Sequence, residues 1–284
     1  MEIILGKTAG FCFGVKNAVD KAEEELKKGK KTYCLGELVH NKQVTDELVN
    51  KGINFIESID EATGKVIIRS HGVEKEIYEK AKEKNLELID LTCPKVLHIH
   101  NIAEEYRNKG YFILLVGKAD HPEMIGTVSF CGDKHYVIES EEELEKALQA
   151  FKISNKDKML VIAQTTFSLE KFNNIVEKVK EMVNAENLEI KNTICNATKE
   201  RQEETEEIAK KVETMIIIGG KHSSNSTKLF ELSKKYCKEV FFIETEEELE
   251  LASIKGKKSI GIMAGASTPA KSIQKVVEKL KKVC

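Results

Sequence analysis

The chain has 284 residues, 45 Lys and Arg against 47 Asp and Glu, and a formal net charge of −2, so no basic excess points to nucleic acid as the main partner. With 41% hydrophobic and 6% aromatic residues and no Trp, the composition is that of a globular protein with an aliphatic core, long enough for one large α/β unit or two to three small domains. The longest apolar runs, FILLVG (112–117) and MIIIGG (215–220), are too short to span a bilayer, and MEIILGK lacks the basic start and long apolar stretch of a secretory signal, so a cytoplasmic location is expected.

Strand-like runs and charged, helix-periodic segments alternate along the chain. The strand candidates are EIILG (2–6), TYCLG (32–36), KVIIRS (65–70), YFILLVG (111–117), KMLVIAQ (158–164), TMIIIGG (214–220) and KSIGIMAG (258–265). Between many of them lie amphipathic stretches such as VKNAVDKAEEELKKG, SLEKFNNIVEKVKEMV, RQEETEEIAKKV and PAKSIQKVVEKLKKV. This rhythm predicts parallel sheets covered by helices. The Glu/Lys runs read as solvated helix faces.

Polar residues recur where the predicted strands end: His40 and Asn41, His71 and Gly72, His121 to Glu123, Thr165 and Thr166, Ser223 to Ser226, and Ser267 with Thr268. Parallel α/β sheets bind ligands at the carboxyl ends of their strands. Imidazoles, hydroxyls and an amide gathered there suit an anion with several oxygens. Ser223-Ser224-Asn225-Ser226 and Ser267-Thr268-Pro269 each open a predicted helix, a place where phosphates bind and where ordinary N-caps also occur. Gly6-Lys7-Thr8 has the ending of a P-loop, but Met1 stands where the first glycine belongs, and no G-x-G-x-x-G follows a strand, so neither a nicotinamide nor a flavin site is expected. Glu123 reads either as an ordinary surface carboxylate, as most Glu residues here must be, or as one among groups built to hold anions, a placement that can raise its pKa and make it a proton donor.

Seven cysteines, an odd number with no C-x-x-C pair, argue against a disulfide framework. Cys34, Cys131 and Cys237 read as small buried hydrophobes, and Cys284 closes the sequence. Cys12, Cys93 and Cys195 share another context, just before a predicted helix, where backbone N–H groups favour thiolate. Three such thiolates suit either a zinc site with an open position or an iron–sulfur cluster with one iron free of cysteine. A zinc hydrolase and a non-catalytic redox sensor are thus the competing readings. In AGFCFGV (9–15), Phe11 and Phe13 are expected to form a dry wall around Cys12 or simply to belong to the core, with Gly10 and Gly14 as hinges.

The motifs GFCFGV, VHNKQV, SHGV, TCPKV, HPEMIGT, QTT, CNATKERQ, SSNS and AGAST, in that order from residue 10 to residue 269, together resemble the 4-hydroxy-3-methylbut-2-enyl diphosphate reductase (LytB/IspH) family. Phe13, His98 and Met124 depart from the common Ala, Lys and Val of that pattern. The resemblance implies an α/β fold of three similar domains with small, mostly parallel sheets in a pseudo-threefold trefoil around a central cavity. The spans would be 14–93, 94–193 and 194–284, with strand 1–13 joined to the last. It implies a [4Fe–4S] cluster on Cys12, Cys93 and Cys195, whose fourth iron takes the hydroxyl of an allylic diphosphate. It assigns His40, His71, His121, Thr165, Ser223, Ser224, Asn225 and Ser267 to substrate binding. Glu123 would supply protons, with His121 and Thr165 assisting. The expected products are isopentenyl and dimethylallyl diphosphate. An external carrier such as ferredoxin or flavodoxin would donate the electrons, and neither nucleic acid nor membrane is an expected partner.

Overall fold

The computed structural model describes residues 1–154 and 157–282. Val283, the end of the last predicted helix, and Cys284 lie outside these residues. The described strands sort into three four-stranded sheets in which every pairing is parallel. One holds β2 (Thr32–Leu35), β3 (Ile53–Ile56), β4 (Lys65–Ile68) and β5 (Glu87–Asp90), in the order β3-β2-β4-β5. Another holds β6 (Phe112–Val116), β7 (His135–Ile138), β8 (Met159–Ala163) and β9 (Leu188–Lys191), in the order β7-β6-β8-β9. In the third, β10 (Thr214–Ile218), β11 (Glu239–Ile243) and β12 (Ser259–Ala264) take up β1 (Glu2–Leu5), in the order β1-β12-β10-β11.

The three orders are one topology. Each sheet runs second, first, third, fourth strand, and β1 serves as the fourth strand of the last sheet. Helices make the crossovers that parallel pairing requires. Within the sheets they are α2 (Lys42–Asn50), α3 (Lys75–Glu83), α5 (Pro122–Cys131), α6 (Glu141–Ala150), α7 (Leu169–Met182), α9 (Ser224–Tyr236) and α10 (Leu251–Ile254), with a 3-10 turn, Ile59–Glu61, between β3 and β4; α1 (Phe13–Lys27), α4 (Pro94–Asn108) and α8 (Asn196–Ala209) lead from a strand of one sheet to a strand of another, and α11 (Ala270–Lys281) follows β12. None of the described helices is long and apolar enough to cross a membrane.

Every strand expected from sequence is present within a residue or two of its expected bounds. The unexpected ones, β3, β5, β7, β9 and β11, all lie at sheet edges. The cause is burial. The central strands β6, β8 and β10 are buried along their whole length and read as continuous apolar runs. The edges ELID and LEIK are half-exposed and carry charge, which blunts them against pairing with other chains and hides them from an apolar search.

Contacts group the chain into two units. The first comprises residues 1–20, 39–51 and the chain from Asn196, and it contains the β1-β12-β10-β11 sheet. Its core sets Ile216, Ile218, Ile262 and Ala264 against Ile273, Val276 and Leu280 of α11, which recur at helical spacing on one face. The second comprises residues 21–38 and 52–195 and contains the other two sheets. There Leu114, Val116, Val161 and Ala163 pack on Phe172, Ile175, Val176 and Val179 of α7. Within this unit the start of α3 meets α5: the Lys75 N–H donates to Ser129 Oγ at 2.9 Å.

Candidate functional site

A parallel sheet of this order reverses the direction of its crossovers between the first and third strands, and the ends of those two strands form its ligand crevice. The residues singled out from sequence sit there in each sheet. His40 follows β2 and His71 follows β4; His121 follows β6 and Thr165 follows β8; Ser223 follows β10 and Ser267 follows β12. The cysteines obey the same repeat. Cys12, Cys93 and Cys195 each follow the fourth strand of a sheet and directly precede or cap the next helix. Their anchoring repeats too. The N–H of Cys12 donates to Ala266 O at 3.2 Å, that of Cys93 to Ser70 O at 3.0 Å and that of Cys195 to Thr165 O at 3.0 Å. In every case the acceptor lies just past the third strand.

In the second unit, His121 is the N-cap of α5, and its Nδ1 accepts the Glu123 N–H at 3.2 Å. The His71 ring meets the His121 ring edge-on, with centroids 5.5 Å apart. Pro122 supplies the first helical residue, where its missing N–H costs nothing. Glu123 is 1% exposed. Its Oε1 accepts the Thr165 N–H at 2.7 Å, and its Oε2 accepts the Thr165 hydroxyl at 2.5 Å. Burial pushes the carboxyl up to about 7, outweighing the two hydrogen bonds from Thr165 that pull it down. A carboxyl half-protonated near neutrality and joined to a hydroxyl is equipped to pass a proton.

In the first unit, Ser223 caps α9 through its hydroxyl, and Ser224 and Asn225 are the first two helical residues. Asn225 Oδ1 accepts the Ala266 N–H at 3.0 Å, while its buried Nδ2 has no protein partner. A buried amide donor left unmade costs free energy that an anionic ligand would recover. His40 is half-buried, and Asn41 caps α2 by accepting the N–H groups of Gln43 and Val44. The Ser267 hydroxyl donates to the His40 carbonyl at 3.1 Å. Gly220 presses on the same carbonyl, where a Cβ would come to 2.6 Å, so only glycine fits. Ser267 was expected as part of a helix cap, but α11 is capped by the position of Pro269 and the hydroxyl is spent on His40 instead.

The cysteines divide as expected between two environments. Cys34 and Cys131 are buried, and burial pushes both thiols up to about 12. Cys237 is buried and points its sulfur at carbonyls. Cys12, Cys93 and Cys195 are each partly exposed, and none is in a disulfide. Two expectations around Cys12 fail. Phe13 is 80% exposed and forms no wall: it opens α1 ahead of the buried stripe Ala18, Val19 and Ala22. Gly14 lies inside α1 and is no hinge, whereas Gly10, at φ +103°, adopts a backbone that side chains disfavour. Sequence reasoning also gave Arg201 and Glu204 no role, although both lie in or beside the quoted CNATKERQ motif. They grip the backbone of the loop that leads to Cys12.

A protein-family model described as LytB protein matches residues 3–281. A 4-hydroxy-3-methylbut-2-enyl diphosphate reductase from Thermoanaerobacter sp. (strain X514) is 45% identical over 99% of this chain and 97% of its own length. The protein of the same name from Aquifex aeolicus (strain VF5) is 40% identical over 100% of this chain and 97% of its own. Among solved structures, one of (E)-4-hydroxy-3-methyl-but-2-enyl diphosphate reductase, described as the terminal enzyme of the non-mevalonate pathway, is 40% identical with a TM-score of 0.71 over the whole of both chains. The reductase from Plasmodium falciparum is 30% identical with a TM-score of 0.92, covering 99% of this chain and 88% of that one. With its three like sheets, its three thiols after fourth strands and this match over nearly its full length, the chain belongs to the LytB family.

Proposed function

We propose that this chain is a reductase of 4-hydroxy-3-methylbut-2-enyl diphosphate, the terminal step of the non-mevalonate route to isoprenoid precursors. The substrate hydroxyl leaves as water, at a cost of two electrons and two protons, and the product is isopentenyl or dimethylallyl diphosphate. The observation that carries the reading is the Glu123–Thr165 pair, a buried acid tuned to about 7 and bonded to a hydroxyl at a strand-end crevice.

Cys12, Cys93 and Cys195 fit a [4Fe–4S] cluster by the chemistry of the donor set. They are three thiols in one repeated setting, outside the cores that hold Cys34, Cys131 and Cys237. When bound, the cluster supplies electrons and a Lewis-acidic iron for the substrate oxygen. The chain's own residues do the rest. His40, Ser223, Ser224, Asn225, His71 and His121 donate hydrogen bonds to the diphosphate, and Ser267 supports them by holding the His40 backbone. When protonated, Glu123 reverses its hydrogen bond to Thr165, so that Oε2–H donates to Thr165 Oγ and the Thr165 hydroxyl passes its own proton to the departing oxygen, with His121 assisting. Electrons come from a separate carrier such as ferredoxin or flavodoxin. The same proposal divides the chain at 14–93, 94–193 and 194–284 plus 1–13, since each span carries one sheet.

The test is iron and acid-labile sulfide on protein purified without oxygen, followed by turnover with the diphosphate and a strong reductant. About four of each per chain and turnover that depends on Glu123 are expected. Zinc without sulfide, or loaded protein with no turnover, would overturn the reading.

A further inference from the structure

The Gly6-Lys7-Thr8 segment ends like a phosphate-binding loop, yet its donors are already taken. The Lys7 N–H donates to Glu204 Oε1 at 2.7 Å, and the Thr8 N–H and hydroxyl donate to Glu204 Oε2 at 2.8 and 2.5 Å. Three donors converging on one carboxylate make an anion nest filled from within the protein. Burial pushes the Glu204 carboxyl up, but the hydrogen bonds from Thr8 and Lys7 prevail and hold it below its ordinary pKa. It is therefore an anion at neutral pH.

One turn earlier on α8, Arg201 treats the same loop from its acceptor side. Arg201 is buried; its Nε donates to Thr8 O at 3.0 Å and its Nη2 to Gly10 O at 2.9 Å. Its Nη1 donates to Ala197 O at 3.2 Å, which fixes the guanidinium to its own helix. Residues three apart share a helix face. Glu204 thus holds the loop's N–H groups and Arg201 its carbonyls, and the grip ends two residues before Cys12.

Loop length explains why this thiol has such a device. Residues 6–12 separate β1 from α1, whereas only 91–93 separate β5 from α4 and 192–195 separate β9 from α8. The two shorter loops are braced from close by. Thr92 donates through N–H and hydroxyl to Asp90 Oδ1 at 2.9 and 2.5 Å, and the Thr193 hydroxyl bridges N and O of Ala163 at 2.8 and 2.5 Å. The longer loop has more freedom to lose and is fixed by a distant helix.

We propose that Arg201 and Glu204 are positioning residues for Cys12, clasping its loop so that the thiolate is held ready for the cluster; this rests on the cluster reading above. The clasp sits on the helix that begins one residue after Cys195, so a single helix serves two of the three thiols.

The experiment compares wild type with Arg201→Ala, Arg201→Lys, Glu204→Gln and Ile208→Ala, each reconstituted anaerobically. Ile208 is a buried core residue of α8 outside the clasp and serves as the control for lost stability. Two readouts other than turnover are taken: the rate of iron release to a ferrous chelator, and the rate at which iodoacetamide alkylates Cys12 in the metal-free chain. Arg201→Ala and Glu204→Gln are expected to release iron about 10- to 100-fold faster than wild type, the usual cost of losing an outer-shell partner. Arg201→Lys, which keeps the charge but not the fork, falls between. Cys12 alkylation accelerates in the same order, while Ile208→Ala melts earlier but matches wild type in both rates. Should Arg201→Ala fail to fold, Thr8→Val removes one donor from Glu204 and shifts both rates the same way by less. A wild type that loads iron while the clasp variants release it at the control's rate overturns this proposal alone. A wild type that takes up no iron overturns the cluster reading and this proposal with it.

Discussion

Glu123 and Asn225 occupy the same place in two different sheets. Each is the second residue of the helix after a first strand, each follows an N-cap residue by two, and each accepts the N–H of a residue just past the third strand, Thr165 in one case and Ala266 in the other. The frame is shared and the chemistry diverges through one functional group. A carboxyl there, buried against a threonine, becomes an acid tuned to about 7. An amide there spends its oxygen on the backbone and leaves an N–H₂ group facing inward with no protein partner. One repeat of the fold is thus equipped to give a proton and another to hold an anion.

The sharpest way to break the comparison is to remove the acid without changing its shape. Glu123→Gln keeps the Thr165 contact and loses the proton, so turnover should fall by about 10²- to 10⁴-fold with iron content and diphosphate affinity intact. Wild-type turnover in that variant would take Glu123 out of the reaction. Placing the acid in the other frame is the converse test. Asn225→Asp sets a negative charge against the ligand and should weaken diphosphate binding on the order of a hundredfold, read as KM rather than kcat. Equal KM would mean that Asn225 does not face the anion.

A smaller effect sharpens the acid itself. In the proposed reaction Glu123 acts in its protonated form, so wild-type turnover should decline as pH rises through about 7, and Glu123→Gln should lose that limb. Thr165→Val removes a hydrogen bond that lowers this pKa, so the limb should move to higher pH while turnover drops about tenfold. A limb that stays in place would separate Thr165 from the titration. Ser267→Ala should do least, costing about 1 kcal/mol of stability through the lost bond to the His40 carbonyl, measured by denaturant unfolding.

Much of this was legible in the sequence because central strands announce themselves. MIIIG and FILLV are apolar runs that only a strand covered on both faces explains, and the polar residues that follow them are the crevice. What was hidden has a physical reason. Edge strands such as LEIK are half-wet and carry no apolar run, so two of the three fourth strands, β5 and β9, went unseen, and with them the rule that each cysteine follows one. Strand order is set by tertiary pairing, so nothing local shows that Asn225 repeats Glu123. Arg201 and Glu204 looked like part of a solvated charged helix because their partners are backbone atoms some 190 residues away. Phe13 misled in the other direction, since an aromatic beside a thiol suggests a wall, yet its place at the start of a helix leaves it in solvent.

The pairing of β1 with β12 has a consequence for how the protein is made. About 250 residues of chain separate the two strands, and at roughly 5–20 residues per second a ribosome needs on the order of 10–50 s to produce the second after the first. The β2–β5 and β6–β9 sheets are built from continuous stretches and can form while synthesis continues. Cys12 leaves the ribosome before the other two thiols but is the last to gain its scaffold, because Ala266 and the α8 clasp are among the late residues. For the proposed cluster, insertion would then be timed to the end of translation, since a half-made chain lacks the scaffold of Cys12.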